Sequence, residues 1–363
     1  MSVLTSNILV PHGREESWRF TPLNRLKGLH DGSAPIAQHR SLALKSAVTP
    51  GVTFERVSRE LLTPLSATDD AVINRVREYS SDVAVLKVSP NTEVSSSIYL
   101  SRESFDLASA EFSRVLIHIG ANARATVILS NTGDTLLAED IEFKVESGAS
   151  LTFVSLQEWD SKTVHVGKHH AIVDKDAKFK SITVTIGGSV VRLLPTVEFT
   201  GSGADAELLG VYFATTGQFF EHRIFVDHCV PHAKSRVNYK GALSGDKAHT
   251  VWIGDVFIRA NAEGTDTYEL NRNLLLTDGA RADSVPNLEI ETGEIVGAGH
   301  ASTTGRFDDE QLFYLMSRGI SVEDARRLVV RGFFSEIISE IADEEVQDRL
   351  MARIDGELIK VGA

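Results

Sequence analysis

Apolar and polar residues alternate through the middle of the chain, and the alternation breaks at nearly constant intervals. Period-two strands are predicted at VLIHI (115–119), IEFKV (141–145), AIVD (171–174), TVEFT (196–200) and VFIRA (256–260). In such strands every second side chain faces the same side of a sheet. A second set follows at ATVIL (125–129), LTFVSL (151–156), ITVTIG (182–187), LLGVYFA (208–214) and VNYKGAL (237–243). Between the sets lie small-residue turns: GANAR at Ala121, SGASL at Ala149, KDAKF at Ala177, SGADA at Ala204, PHAKS at Ala233 and RANAE at Ala262. These alanines are 28, 28, 27, 29 and 29 residues apart. Two strands per repeat with no helix between them predict stacked coils of sheet, a parallel β-solenoid whose strands share one interior. Ala and Gly suit the corners, where a larger side chain would crowd the next turn. An immunoglobulin-like sandwich also has evenly spaced strands, but it does not need so many near-equal repeats.

The flanks have a different texture. FERVSRELL (54–62) and DAVINRVREY (70–79) read as amphipathic helices, broken by HDGSAP (30–35) and TPG (49–51). Near the C-terminus, Asp308 with Gln311 reads as a capping box before LFYLMSRG, which Gly319 stops. Ser321 with Asp324 starts a second helix, with Val330, Phe334, Ile337 and Ile341 on one stripe widened by Phe333 and Ile338. A third helix is predicted over 344–358. The expected division is a mostly helical domain at 1–85, a β-helix core at 86–300 and a helical domain at 301–363. The last could cap the open end of the stack or offer an apolar groove to a partner.

The formal net charge of −13 argues against a nucleic-acid or anionic-membrane surface. Cys229 is the only cysteine, so no intrachain disulfide can form, which fits a reducing compartment. The N-terminus lacks a basic start and a long apolar run, and no stretch approaches the roughly 18 apolar residues of a membrane span. A cytoplasmic location is the simple expectation.

No Walker A sequence, HExxH, CxxC or G-x-S-x-G elbow occurs. GAGHAS (297–302) lacks the third Gly of a dinucleotide loop and opens no clear helix. His228, Cys229 and His232 lie close together in VDHCVPH, but neighbours on a strand point to opposite faces. They read as corner or interface residues, as do His165, His169 and His170. Asp308, Asp309 and Glu310 sit at a helix start, where the dipole favours acids. His300 stands among small residues at the junction of solenoid and tail. It reads either as a junction histidine bonded locally or as a metal ligand.

Residues 271–338, from NRNLLLTDGARADSVPNLEIETGEIVGAGHASTTGRFDDEQ onward, closely resemble the C-terminal signature of the SufB/SufD family of iron–sulfur cluster assembly proteins. YKGAL (239–243), TDTYELNRNLLL (265–276) and ESWRFTPL (16–23) fit the same family, and the start and length look more like SufD than SufB. The resemblance implies a β-helix with helical domains at both ends. It implies a non-catalytic scaffold that pairs with a SufB-like paralogue through the β-helix and with a SufC-like ABC ATPase through its C-terminal helices. ATP binding would then strain the scaffold and reshape the SufB–SufD interface. A homodimer is the alternative when SufB is absent.

On this reading His300 maps to the interface histidine, a metal position at the SufB contact. Phe313, Tyr314, Leu315, Arg318, Arg331, Phe333 and Phe334 divide between the tail's own core and the ATPase contact. Two departures matter. Ala298 and Ala233 stand where many relatives have Cys. Clusters are held mainly by thiolates, so no cofactor is expected on the chain alone. Iron or a cluster would be shared transiently with the SufB partner. Two rivals remain: a SufB-like subunit that nucleates the cluster itself, opposed by the single cysteine, and a carbohydrate-active β-helix enzyme. The second is opposed by the missing signal peptide and the lack of a periodic Asp cluster.

Overall fold

The computed structural model describes residues 8–47, 49–306 and 309–360. Two nine-stranded sheets run its length. The first holds β1 (Leu42–Leu44), β4 (Ile98–Ser104), β6 (Arg124–Gly133), β8 (Ser150–Trp159), β10 (Lys178–Thr185), β12 (Asp205–Ala214), β14 (Lys234–Leu243), β16 (Asp266–Leu275) and β18 (Gly297–Arg306). The second holds β2 (Val52–Ser58), β3 (Asp82–Val88), β5 (Ala110–Ile119), β7 (Leu136–Val145), β9 (Val164–Val173), β11 (Val190–Phe199), β13 (Phe219–His228), β15 (His249–Ile258) and β17 (Arg281–Ile290). Strands alternate between the sheets, so the chain coils as a flattened β-solenoid. All pairings are parallel except β1 with β4 and β2 with β3, which close the N-terminal end.

The corner residues stack in register. Ala123, Ala149, Ala177, Ala204, Ala233 and Thr265 form one buried column. The amide after each corner donates to the carbonyl of the corner below, from Ser150 to Ala123 through Asp266 to Ala233. Each corner follows a left-handed residue: Asn122, Gly148, Asp176, Gly203, His232 and Gly264. Gly takes that conformation freely, and Asn, Asp and His tolerate it better than bulky residues do. Two expected corners shift accordingly. Ala121 lies two residues before the true column, and Ala262 precedes three inserted residues. The rung lengthens toward the C-terminus: Ser150 pairs 26 positions after Arg124, whereas Asp266 pairs 32 after Lys234.

Between the sheets lies an apolar core that includes Ile117, Val127, Phe143, Phe153, Phe199 and Trp252. Tyr212 and Tyr239 interlock there. Each ring lies where a side chain on the facing glycine, Gly241 or Gly210, would sit. The outer faces are covered too. Trp18, Leu26, Leu29 and the helix α1 (Ala71–Tyr79) cover Val164, Val166, Phe219 and Val251 on the second sheet. Asp70 caps α1 by accepting from the amides of Val72 and Ile73, and it also pairs with buried Arg192 at 2.7 Å. Strands buried on both faces read as continuous apolar runs, as LTFVSL and LLGVYFA do.

FERVSRELL is not a helix. Residues 52–58 form β2, followed by a 3-10 turn at Arg59–Leu61. Its apolar residues fit either period, and the free edge of β3 decides for strand.

The tail contains α2 (Asp309–Ser317), α3 (Val322–Ile338) and α4 (Glu344–Lys360). Asp308 of the expected capping box lies outside the described residues. Ser321 caps α3 by accepting from the Asp324 amide at 3.1 Å. The described residues of the tail pack along the first sheet. Val330, Phe334, Ile337, Ile341, Leu350 and Ile354 pack flat on the outer face of the first sheet, against Val154, Ile182, Leu209 and Phe213. Buried Lys240 pins α3 there, donating to the Phe333 carbonyl at 2.9 Å and to Glu336 at 2.6 Å.

Candidate partner-facing end and metal site

At the C-terminal end β17 and β18 each pair on one side only. Such edges present unpaired backbone amides and carbonyls, a template for another strand. Exposed Val296 and Ile290 flank these edges. The Oγ atoms of Ser284 and Ser302 join the two terminal strands at 2.7 Å.

His300 lies on β18 in register with Glu269 of β16, which is in register with Val237 of β14. Glu269 and Val237 face the interior, so His300 occupies the interior-facing position of the terminal rung. It is exposed because no further rung covers it. Ala298 precedes it on the same face of β18 and places a methyl there.

Of the other expected histidine groups, only His165 and His169 share a partner, the buried Glu139. His228 is buried, accepts or donates at Ser235 Oγ (2.9 Å), and burial lowers its pKa to about 4. Cys229 is half-buried; burial and then the Asp227 charge push its thiol up to about 12, so it carries no thiolate near neutrality. His232 is a left-handed corner residue. His165 and His169 both meet Glu139, at 2.9 and 3.2 Å, whereas His170 points the other way to Thr196. Among the described residues, no three His, Cys, Asp or Glu side chains converge as a metal group. No described helix is long and apolar enough to cross a membrane.

Two features of the interior escaped the sequence reading. The first is an ionic cluster: Arg102 meets Glu139 at 2.8 Å and Asn131 at 2.9 Å. Gln157 accepts from the Trp159 indole at 2.9 Å and touches His165. The second is Glu269 itself. On β16 the inward positions are Thr267, Glu269, Asn271 and Asn273, and the outward ones include Tyr268 and Leu270. Period two divides a strand into faces without saying which is inside, and here the polar face is the buried one.

The residues expected at a partner contact fall into two groups. Phe334 is fully buried against the chain's own sheet and belongs to its core. Phe333 is half-buried, with Lys240 5.0 Å from its ring, and Arg331 pairs with Asp355 of α4. In contrast, Phe313 is 72% exposed and Tyr314 56%, with Arg318 4.9 Å over the tyrosine ring. Met316 of α2 and Leu328 of α3 are exposed as well.

Comparison with known proteins places these features in a family. Residues 101–333 match the family described as SUF system FeS cluster assembly, SufBD core domain. An iron–sulfur cluster assembly SufBD family protein of Mycobacterium tuberculosis is 50% identical over 357 residues, covering 96% of this chain and 89% of the relative. Its Mycobacterium leprae counterpart is 49% identical, with 96% and 91% covered. The iron–sulfur cluster assembly protein SufD of Escherichia coli is 29% identical over 219 residues, covering 60% of this chain and 51% of that protein.

Proposed function

Because the chain belongs to the SufBD family of iron–sulfur cluster assembly proteins, we propose that it is the SufD-type scaffold subunit of a three-component assembly. Its family-level role is that of a non-catalytic scaffold in cluster assembly. In the proposed arrangement the open end pairs with a SufB-like paralogue, and the exposed apolar residues of α2 and α3 receive a SufC-like ABC ATPase. His300 faces the nascent cluster or its iron, the cargo of the assembly. We place this assembly in the cytoplasm.

The observation that carries the reading is the pair of unpaired edges with His300 on the interior side of the last rung. The SufD assignment draws support from the ESWRFTPL start, the single cysteine with its raised thiol, and the likeness to a protein named SufD. The net charge of −13 disfavours nucleic acid as a partner.

Mixing with the cognate ATPase tests the helical contact. Phe313→Ser with Tyr314→Ser is expected to weaken association by about 2 kcal/mol, roughly thirtyfold in Kd, because exposed aromatics dominate such interfaces. The melting temperature should hold. Undiminished binding by the double variant would place the ATPase elsewhere.

The second test concerns the open end. His300→Ala is expected to leave the purified complex intact while reducing its cluster content on the order of tenfold. Unchanged cluster content would return His300 to a junction role.

A further inference from the structure

We propose that Glu269 joins His300 to form a two-ligand site for a divalent first-row metal ion such as Fe2+ at the mouth of the solenoid. The inference rests on reading the open end as the place where iron is handled, and it names the second protein ligand there.

Glu269 is 1% exposed, yet neither of its carboxylate oxygens has a hydrogen-bond partner. The other buried acids among the described residues each have a partner on at least one oxygen. Glu139 meets Arg102, Asp140 meets Arg77, Glu142 meets Arg114 and Glu221 meets Arg192. Glu111 accepts from Ser41. A buried carboxyl without a partner is costly and calls for one.

Its surroundings offer few. One in-register neighbour is the apolar Val237, and the other is His300. Across the interior stands Gly254, where a Cβ would come within 2.7 Å of Glu269 Oε1. The missing side chain makes room for the carboxyl. The Trp252 indole N–H nearby also lacks a partner, but one donor can satisfy only one of two oxygens.

Neighbouring strands are about 4.8 Å apart, so a carboxylate and an imidazole on adjacent inward positions can reach one ion. An oxygen and nitrogen donor set suits Fe2+ or a similar ion better than a thiolate-held cluster. Two protein ligands leave coordination positions to water or to the partner subunit.

The test is anaerobic calorimetric titration of the full-length chain with Fe2+ alone. One ion per chain is expected, with Glu269→Gln and His300→Ala each weakening binding by on the order of tenfold or more. The double variant should bind more weakly than either single, because neither protein ligand then remains. The melting temperature of Glu269→Gln should not fall, which separates ligand loss from misfolding. Wild-type affinity in Glu269→Gln alongside loss in His300→Ala would remove Glu269 from the site and leave His300 in place. Unaltered binding in both variants, or no binding by the wild-type chain, would overturn the two-ligand site. Cluster content of the assembled His300→Ala complex then judges the shared-site reading separately.

Discussion

Replacing Arg102 with alanine is expected to destabilise the folded chain by about 3–5 kcal/mol, the usual cost of stripping one partner from a buried ion pair. Arg102 and Glu139 are both fully buried and 2.8 Å apart. Burial alone would raise the Glu139 pKa. The Arg102 charge, then His165, and hydrogen bonds from His165 and His169 outweigh burial and hold it well below 4.5. Burial lowers the His165 pKa despite the nearby Glu139. Its Nε2–H donates to Glu139, a tautomer assigned from the network.

A depressed carboxylate pKa stabilises the fold above its unfolded value, and that stability is lost as pH falls through the folded value. Wild-type stability from Glu139 should therefore be complete by about pH 5.5 and fade below about pH 4.5. In Arg102→Ala, burial acts with less opposition and the pKa rises. A higher folded-state value flattens the slope, so the variant should gain less stability than the wild type as pH climbs from 4 toward 7. Urea unfolding at several pH values reads both effects. Arg102→Met combined with Glu139→Gln should be milder than Arg102→Ala, because no unpaired charge remains inside. Equal losses in the two variants would mean that packing, and not charge, dominates.

Phe334→Ala is the second large effect, expected to cost about 3–5 kcal/mol through the cavity it leaves. The ring is fully buried and sits 6.5 Å from Phe213 of β12 and 5.5 Å from Phe333. Solenoid rungs mainly stabilise their neighbours, so the loss should appear as release of α3 and α4 before the sheets melt. Limited proteolysis should then cut within residues 309–360 faster, and amides in the helices should exchange faster. Phe313→Ala, by contrast, should change stability by less than about 0.5 kcal/mol. If protease susceptibility of the tail is unchanged in Phe334→Ala, the flat packing of α3 on the first sheet is wrong.

The solenoid was legible because its signal repeats. Corner residues must be small or left-handed at every rung, so the period survives changes in any single turn. Individual turns were less legible. Ala121 and Ala123 look alike in GANAR, and only the amide ladder from Ser150 to Ala123 shows which one stacks. FERVSRELL was misread because its few apolar residues suit a helix until the edge of β3 is available to pair with it. The proposed ligand His300 could be singled out from its motif, but the proposed ligand Glu269 could not. In TDTYELNRNLLL it resembles a solvated strand position, and its burial depends on β14, β15 and the open end together.

Taken alone, the order of residues determined the rung length, the two strands per rung, the helical tail and its apolar stripe, since each follows from local periodicity. Tertiary packing decided the rest. It set which face of β16 turns inward, which tail aromatics meet solvent, where Arg102 finds Glu139, and that the described residues of the tail lie along a sheet. Those outcomes depend on contacts between segments far apart in the chain, and alternation within a strand is equally satisfied by either face.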